Sequence, residues 1–370
     1  MSLALHDAET MSFVLPVSAV YTVMKADMHT LVYDISNLLF RVAAMQKHTG
    51  GPATYGAAVE DLVGLSMHVS LQAVMKWYKK FKPDFVVFSF EGGSNWRKKY
   101  TADNSLSIRR QYKANRVQDP EMAHFYQLID AFRELISKHT SICCICVPDM
   151  EGDDVIAAYC LLNASDENLI TIVSGDKDFI QLTKLPNVRL VDPDTGKQRN
   201  QPGDKDYQAD IDYWLFLKCI RGDSGDNVPS AYPRVFEKKI KAAYEDDYVK
   251  LNFMNERWKD ENLVEHRVGD LFAHNQVLMD LTAQPDEIRL RLYEQVDLQT
   301  RPEALAIYSH FHFLRFLGKF RLNKVAEEAS KFTDLFMNNQ RYLKGEKKAQ
   351  VLNEQQPKLP DDDAGGLLAF

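Results

Sequence analysis

The sequence predicts an α/β protein, a mostly parallel central sheet with flanking helices, followed by a smaller helical C-terminal domain. Three observations carry this. Short runs of strand-forming residues alternate with longer stretches of helical periodicity, the pattern of a doubly wound sheet. Four of those runs end in or next to acids: Asp34, Glu91, the group around Glu151, Asp153 and Asp154, and the pair Asp176 and Asp178. Residues 234–335 mix polar and apolar positions with few glycines and read as helical.

In chain order, residues 1–28 form an extension ahead of the fold, with Met24 and Met28 as alternative starts. Leu31-Val32-Tyr33 is a short buried strand ending in Asp34, and Ser36 and Asn37 open the helix that carries Leu38, Leu39, Phe40 and Val42. A second helix covers about 57–80, where Leu62, Leu65, Val69, Ala73 and Trp77 share one face. Pro83-Asp84 turns the chain into the strand Phe85–Phe90, which ends in Glu91. The strand Ile142–Val147 leads into the acids from Asp149 to Asp154 and the apolar helix from Val155. Leu169–Val173 closes on Asp176 and Asp178, and Val188–Val191 is a fifth strand with a turn at 192–196. These elements place an α/β domain at 29–210 and a helical domain at 211–340. From 345 to 370 the composition is that of a disordered tail, rich in Gln, Glu, Lys, Pro and Asp.

At 370 residues, 45% of them hydrophobic, the chain is long enough for two cores. No apolar run reaches the roughly 18 residues of a membrane span. The run Phe13–Met24 contains Pro16 and lacks a basic leader, so a cytoplasmic protein without membrane partners is expected. Cys143, Cys144 and Cys146 alternate within one strand, which suits buried filler rather than a disulfide framework or a zinc site. The net charge of −7 hides a local opposite: residues 97–116 hold Arg97, Lys98, Lys99, Arg109, Arg110, Lys113 and Arg116 against Asp103 alone. Trp96, Tyr100 and Tyr112 are interleaved, and this composition is the footprint of a phosphate-backbone partner.

Parallel strands deliver their following loops to one carboxyl edge, so the acids converge there. Taken singly, each group could be a helix N-cap. Together they repel one another, and oxygen-only ligands favour Mg²⁺, with Mn²⁺ as the alternative. Asp223 and Asp226, on a turn reading Gly222-Asp223-Ser224-Gly225-Asp226-Asn227, either complete a second metal position or cap the next helix. Two metal ions beside a basic segment point to phosphodiester hydrolysis by metal-activated water, without a protein nucleophile.

The ordered motifs Leu31-Val32-Tyr33-Asp34, Glu151-Gly152-Asp153-Asp154, Ser174-Gly175-Asp176-Lys177-Asp178 and Gly222–Asn227 resemble those of the flap endonuclease/5′→3′ exonuclease superfamily, and within it the bacteriophage replication branch. Trp96-Arg97-Lys98 and Tyr112–Arg116 resemble that family's arch segment, and 226–228, 275–280 and 307–311 its C-terminal domain. The resemblance covers about 28–335. It implies a PIN/5′-nuclease-like fold with a helical arch at 92–120, and an element of helix–turn–helix type gripping duplex. It implies Mg²⁺-dependent cutting of 5′ flaps and RNA primers during replication, with ribonuclease H activity. On it, Asp34, Glu91, Glu151, Asp153, Asp176, Asp178, Asp223 and Asp226 are metal ligands, with Asp154 a ligand or a support. Arg97 and Lys113 touch the scissile phosphate and Arg116 helps position the strand, while the cationic run itself makes Lys98, Lys99, Arg109 and Arg110 expected nucleic-acid contacts. The implied partners are branched or nicked DNA and RNA–DNA duplex, with a single-strand-binding protein alongside.

The chain departs from the family in three places. Glu91 stands where the family generally has Asp. The stretch between Arg97 and Lys113 is longer than in the phage branch. After Asp226-Asn227-Val228-Pro229 the family's glycine-rich continuation is missing, so duplex contact is expected from Arg234, Lys238, Lys239 and Lys241. The terminal Leu367, Leu368 and Phe370 form an apolar plug that either fills a partner's surface pocket or docks on its own chain without further role; the resemblance implies a replicative sliding clamp as the acceptor. A haloacid-dehalogenase-type phosphatase would need Asp-x-Asp after the first strand, where this chain has Asp34-Ile35-Ser36. A stand-alone PIN-type ribonuclease would lack the helical domain, and a silent junction-binding module would be expected to lose acids.

Overall fold

A computed structural model describes residues 27–49, 59–103, 108, 110–116 and 123–345. Five strands form the central sheet: β1 (His29–Asp34), β2 (Phe85–Phe90), β3 (Cys143–Cys146), β4 (Leu169–Val173) and β5 (Val188–Val191). They lie in the order β3-β2-β1-β4-β5, and every pairing between them is parallel. Their near-continuous apolar runs are what a sheet covered on both faces requires. In the register, Leu31 of β1 lies between Val86 of β2 and Thr171 of β4. The order reverses direction at β1, and the crevice outside the carboxyl ends of β1 and β4 is where such a sheet places its site.

One face is covered by α1 (Ile35–Thr49), α2 (Val59–Phe81) and, after the short α3 (Trp96–Asp103), α4 (Ala123–His139); the other carries α5 (Gly152–Asn163). The first face packs Leu39, Met67, Leu71 and Phe132 against Leu31, Val86 and Phe88. The second packs Val155, Ile156 and Tyr159 against Val32, Val87 and Ile172. A 3-10 helix, Lys177–Lys184, follows β4. The helical region then runs through α6 (Ile211–Arg221), α7 (Glu237–Glu245), α8 (Asp247–Asn255), α9 (Val268–Met279) and α10 (Asp286–Thr300). Phe216, Ile220, Ile240, Phe253 and Leu271 give it a core of its own.

Two features differ from the purely helical expectation for this region. A short antiparallel hairpin joins β6 (Arg257–Lys259) to β7 (Glu265–Arg267); three-residue strands are too short to announce a period of two. After α10 the chain returns to the sheet. Phe313, Phe316 and Leu317 of α11 (His310–Lys319), Val325 of α12 (Asn323–Glu327), and Leu335 and Phe336 of α13 (Thr333–Phe336) belong to the same apolar cluster as β1 and β2. In α14 (Asn338–Leu343), the Asn339 amide accepts from the Val86 N–H and donates to its carbonyl, both at 2.8 Å, replacing a neighbouring strand below the start of β3. Among the described residues, no helix is long and apolar enough to cross a membrane. All five cysteines are free, Cys143 fully buried in β3.

Candidate active site

The acids at strand ends do meet. Asp34 closes β1 and is 5% exposed, its carboxylate accepting from the Ser174 hydroxyl at 2.8 Å and the Asn37 amide at 3.1 Å. Ser174 also accepts from the Asp176 N–H at 3.0 Å, so one hydroxyl ties the ends of β1 and β4 together. Asp176 caps the following 3-10 helix through the Asp178 N–H. Glu151 is the N-cap of α5 in a capping box with Asp154, which puts Asp153 and Asp154 in the first turn.

Burial and mutual repulsion show in the protonation of these groups. Burial first, then Asp176, pushes Asp34 up to about 6, against its hydrogen bonds to Asn37 and Ser174. Asp153 is raised well above the carboxylate range by burial and by the charges of Asp34, Asp176, Glu91 and Glu151. Glu91 leaves residue surface open to solvent, yet its carboxyl is closely surrounded; burial, Glu151 and Asp34 bring it to about 7. Asp176 is raised by burial and by Asp178. Carboxylates gathered at the cost of their own ionisation are a signature of a functional site.

A second set of groups behaves in the opposite way. The Arg97 side chain is buried beneath α3, and it forms a fork on Asp154, with both N–H···O contacts at 2.7 Å. Its Nη1 also reaches Glu151 at 2.8 Å and its Nε the Leu278 carbonyl at 2.9 Å. Asp154 takes further hydrogen bonds from the Trp96 indole at 2.9 Å and the Gln284 amide at 3.2 Å. These donors, led by Arg97, outweigh its burial and hold its carboxyl below the ordinary value. Lys113, in the left-handed region at φ +56°, pairs with Glu151, and its Nζ lies 3.8 Å from Asp226. The Tyr112 hydroxyl donates to Asp226 at 2.9 Å and to Glu151 at 3.3 Å. Glu151 and Asp226 are thereby joined across the two halves of the chain by the basic segment.

Residues 29–210 match the family described as 5′-3′ exonuclease, N-terminal resolvase-like domain. That match takes in every strand of the central sheet. DNA polymerase I of Rhizobium leguminosarum is 37% identical over 122 residues, 32% of this chain and 11% of that protein. The ribonuclease H of Enterobacteria phage T4 is 29% identical over 168 residues, 44% of this chain and 53% of that one. The chain thus spans about half or less of the length of these relatives. Among solved structures, a T5 protein co-crystallised with metal ions superposes with a TM-score of 0.50 at 16% identity, over 74% of this chain and all of that one, a likeness of fold.

The remaining acids of the site are spoken for by cations or by backbone. Asp178 pairs with Lys218 of α6, whose ammonium also lies 5.7 Å from the Trp214 ring centroid. Asp223 accepts from the Gly225 N–H at 2.8 Å and the Asp226 N–H at 3.3 Å, within a tight turn closed by the Asp223–Val228 bridge. Gly222 begins that turn at φ +72°, where a Cβ would meet the Pro229 carbonyl oxygen at 2.5 Å. Among the described residues, no three acids, histidines or cysteines stand in an arrangement that could hold a metal ion as they are. Arg97 and Lys113 occupy Glu151, and Lys218 occupies Asp178.

Of the expected nucleic-acid contacts, Lys98, Arg110 and Arg116 are exposed, Arg116 pairing with Asp226; Lys99 reaches Asp149 at 3.2 Å. Arg234, Lys238, Lys239 and Lys241 are exposed at the start of α7, Lys239 paired with Glu256 and Lys241 with Glu245 at 3.7 Å. Arg109, and Leu367, Leu368 and Phe370 of the tail, lie outside the described residues. Sequence reasoning passed over Ser174 as a bridge, Lys218 and Gln284. Lys218 stands five residues before Asp223, but its partner Asp178 is 40 residues away, so no local spacing signals the pair.

Proposed function

We propose that this chain is a divalent-metal-dependent nuclease that cuts phosphodiester bonds in 5′ flaps and at 5′ ends of primers. The observation that carries the reading is the set Asp34, Glu91, Asp153 and Asp176, all raised above their ordinary values at one carboxyl edge. An all-oxygen donor set under mutual repulsion fits a hard dication, which would relieve it. Asp34, Glu91, Glu151, Asp153, Asp176, Asp178, Asp223 and Asp226 are the residues proposed to hold Mg²⁺ or Mn²⁺. Bound there, such ions would supply an activated water and stabilise charge on the leaving oxygen.

The chain's own residues divide the remaining work. Asp154 has no oxygen left unengaged, so it is read as the anchor of Arg97 rather than as a ligand. Arg97, at 1% exposure, is correspondingly a positioning residue that orients Glu151, a revision of its expected contact with phosphate. Lys113 keeps 16% of its side chain exposed and is the cation proposed to meet a phosphate beside Glu151 and Asp226. Lys98, Lys99, Arg110 and Arg116 would follow the single strand, and the α7 cations a duplex. The identity to the T4 ribonuclease H is of the same order as that to bacterial polymerases, so RNA preference and that particular branch remain the narrower form of the proposal. Clamp docking by Leu367, Leu368 and Phe370 belongs to the same narrower form.

A gel assay on labelled 5′-flap DNA tests the reading. Cleavage is expected with Mg²⁺ and not with a chelator, and Asp153→Asn should abolish it while flap binding persists. Flap binding without cleavage by the wild-type chain in Mg²⁺ or Mn²⁺ would leave a silent junction-binding module instead.

A further inference from the structure

Between α1, α2 and the turn after β5 lies a cavity of about 290 Å³ that opens beside Asp34. Its walls are apolar, from Leu38 and Val42 of α1, Val69, Ala73 and Trp77 of α2, and Val173 of β4. The Trp77 indole is locked in place. Its N–H donates to the Pro193 carbonyl at 2.9 Å, the Lys76 ammonium lies 4.2 Å from its ring centroid, and Gly196 leaves no room for a Cβ against the ring. The polar part of the lining is Asn37, Arg41, Lys76 and Asp194, besides Asp34 and Ser174. Arg41 pairs with Asp194, whose carbonyl also accepts from Lys76 at 3.1 Å.

We propose that this cavity receives the nucleobase of a nucleotide whose phosphate lies at the Asp34 acids. The inference rests on the nuclease reading for what lies next door, and it adds a subsite for the base. The charged groups of the lining balance, Arg41 and Lys76 against Asp34 and Asp194, which gives a phosphate no net attraction into the cavity. A flat ring with a neutral polar rim suits it better. The ring faces would meet aliphatic groups and the Trp77 wall, and Asn37 in the lining offers both a donor and an acceptor to the base edge. Mostly apolar concavities with a few polar groups at the opening are the usual form of small-molecule sites. The position fits as well, since Asp34 itself lines the cavity.

Calorimetric titration of the full chain with dAMP and with 2-deoxyribose 5-phosphate, in Mg²⁺, separates base from backbone. The wild type should bind dAMP about tenfold or more tightly than the sugar phosphate, the scale of one stacked base. Ala73→Phe and Val69→Phe each fill the cavity and should erase that difference, while leaving sugar-phosphate binding unchanged. Equal affinity of the wild type for both probes overturns the proposal, whatever the variants do. So does a preference for dAMP that survives both substitutions, once circular dichroism shows the variants folded. Flap cleavage measured in parallel keeps the two readings apart: its absence would count against the nuclease alone, and a cavity-dependent preference for dAMP would still establish the base site.

Discussion

Asp34→Asn should stabilise the chain in chelator at neutral pH while removing its cleavage activity. Asp34 is 5% exposed, and its carboxyl sits at about 6 against an ordinary 3.8. That rise of roughly two units corresponds to about 3 kcal/mol by which the ionised group is less favourable in the folded state. The folded value is raised, so the folded state binds more protons than the unfolded one between the two values. The stability contributed is therefore full below about 3.8 and is lost as the pH rises through about 6. Asn keeps the shape and one acceptor for the Asn37 N–H, and the Ser174 hydroxyl can rotate to accept from the new amide. At pH 7.5 in chelator the variant should melt higher by roughly 6–12 °C, from about 2–4 °C per kcal/mol for a domain of this size. At pH 4.5 the difference should shrink to a few degrees. Melting curves by circular dichroism across this range measure it directly. Equal melting temperatures at pH 7.5, or a difference of the same size at both pH values, would refute the reasoning that burial and Asp176 load this carboxylate.

Arg97→Ala should cost about 3–5 kcal/mol in urea unfolding, because it strands Asp154 at 0% exposure without its fork. Arg97→Lys should recover little of it, since one ammonium cannot reproduce the fork on Asp154 together with the contacts to Glu151 and the Leu278 carbonyl. Lys113→Ala should lower the single-turnover cleavage rate on the order of a hundredfold while flap affinity changes only a few-fold; a loss confined to binding would contradict its placement. Gly222→Ala should destabilise by roughly 2 kcal/mol, from the left-handed backbone and the contact with the Pro229 carbonyl, and should speed exchange of the Val228 amide. Lys238→Ala combined with Lys241→Ala should weaken duplex binding and reduce its salt slope by about 2, read by titration at several salt concentrations.

The sequence by itself determined the sheet and its working edge. Leu169–Val173 and Val188–Val191 are strands with the predicted bounds: the inner strand β4 is apolar but for Thr171, and β5, at the edge of the sheet, keeps room for Arg189. The placement of Asp34, Glu91, Glu151, Asp153 and Asp176 at one edge follows from parallel strands alone, since each loop leaves from the same end. What the tertiary structure decided is which of the charged groups are free. Arg97 looked like one cation among seven, and nothing within its own helix marks it as buried; Asp154 lies 57 residues on and the Leu278 carbonyl 181. The return of Phe313 to Phe336 into the core shared by β1 and β2, and the Asn339 amide standing in for a strand beside Val86, are likewise invisible locally. Periodicity reports which face of an element is apolar, but not which other element covers it. That choice is made by contacts between residues hundreds of positions apart, and the ionisation of each acid at the site is set by the same contacts.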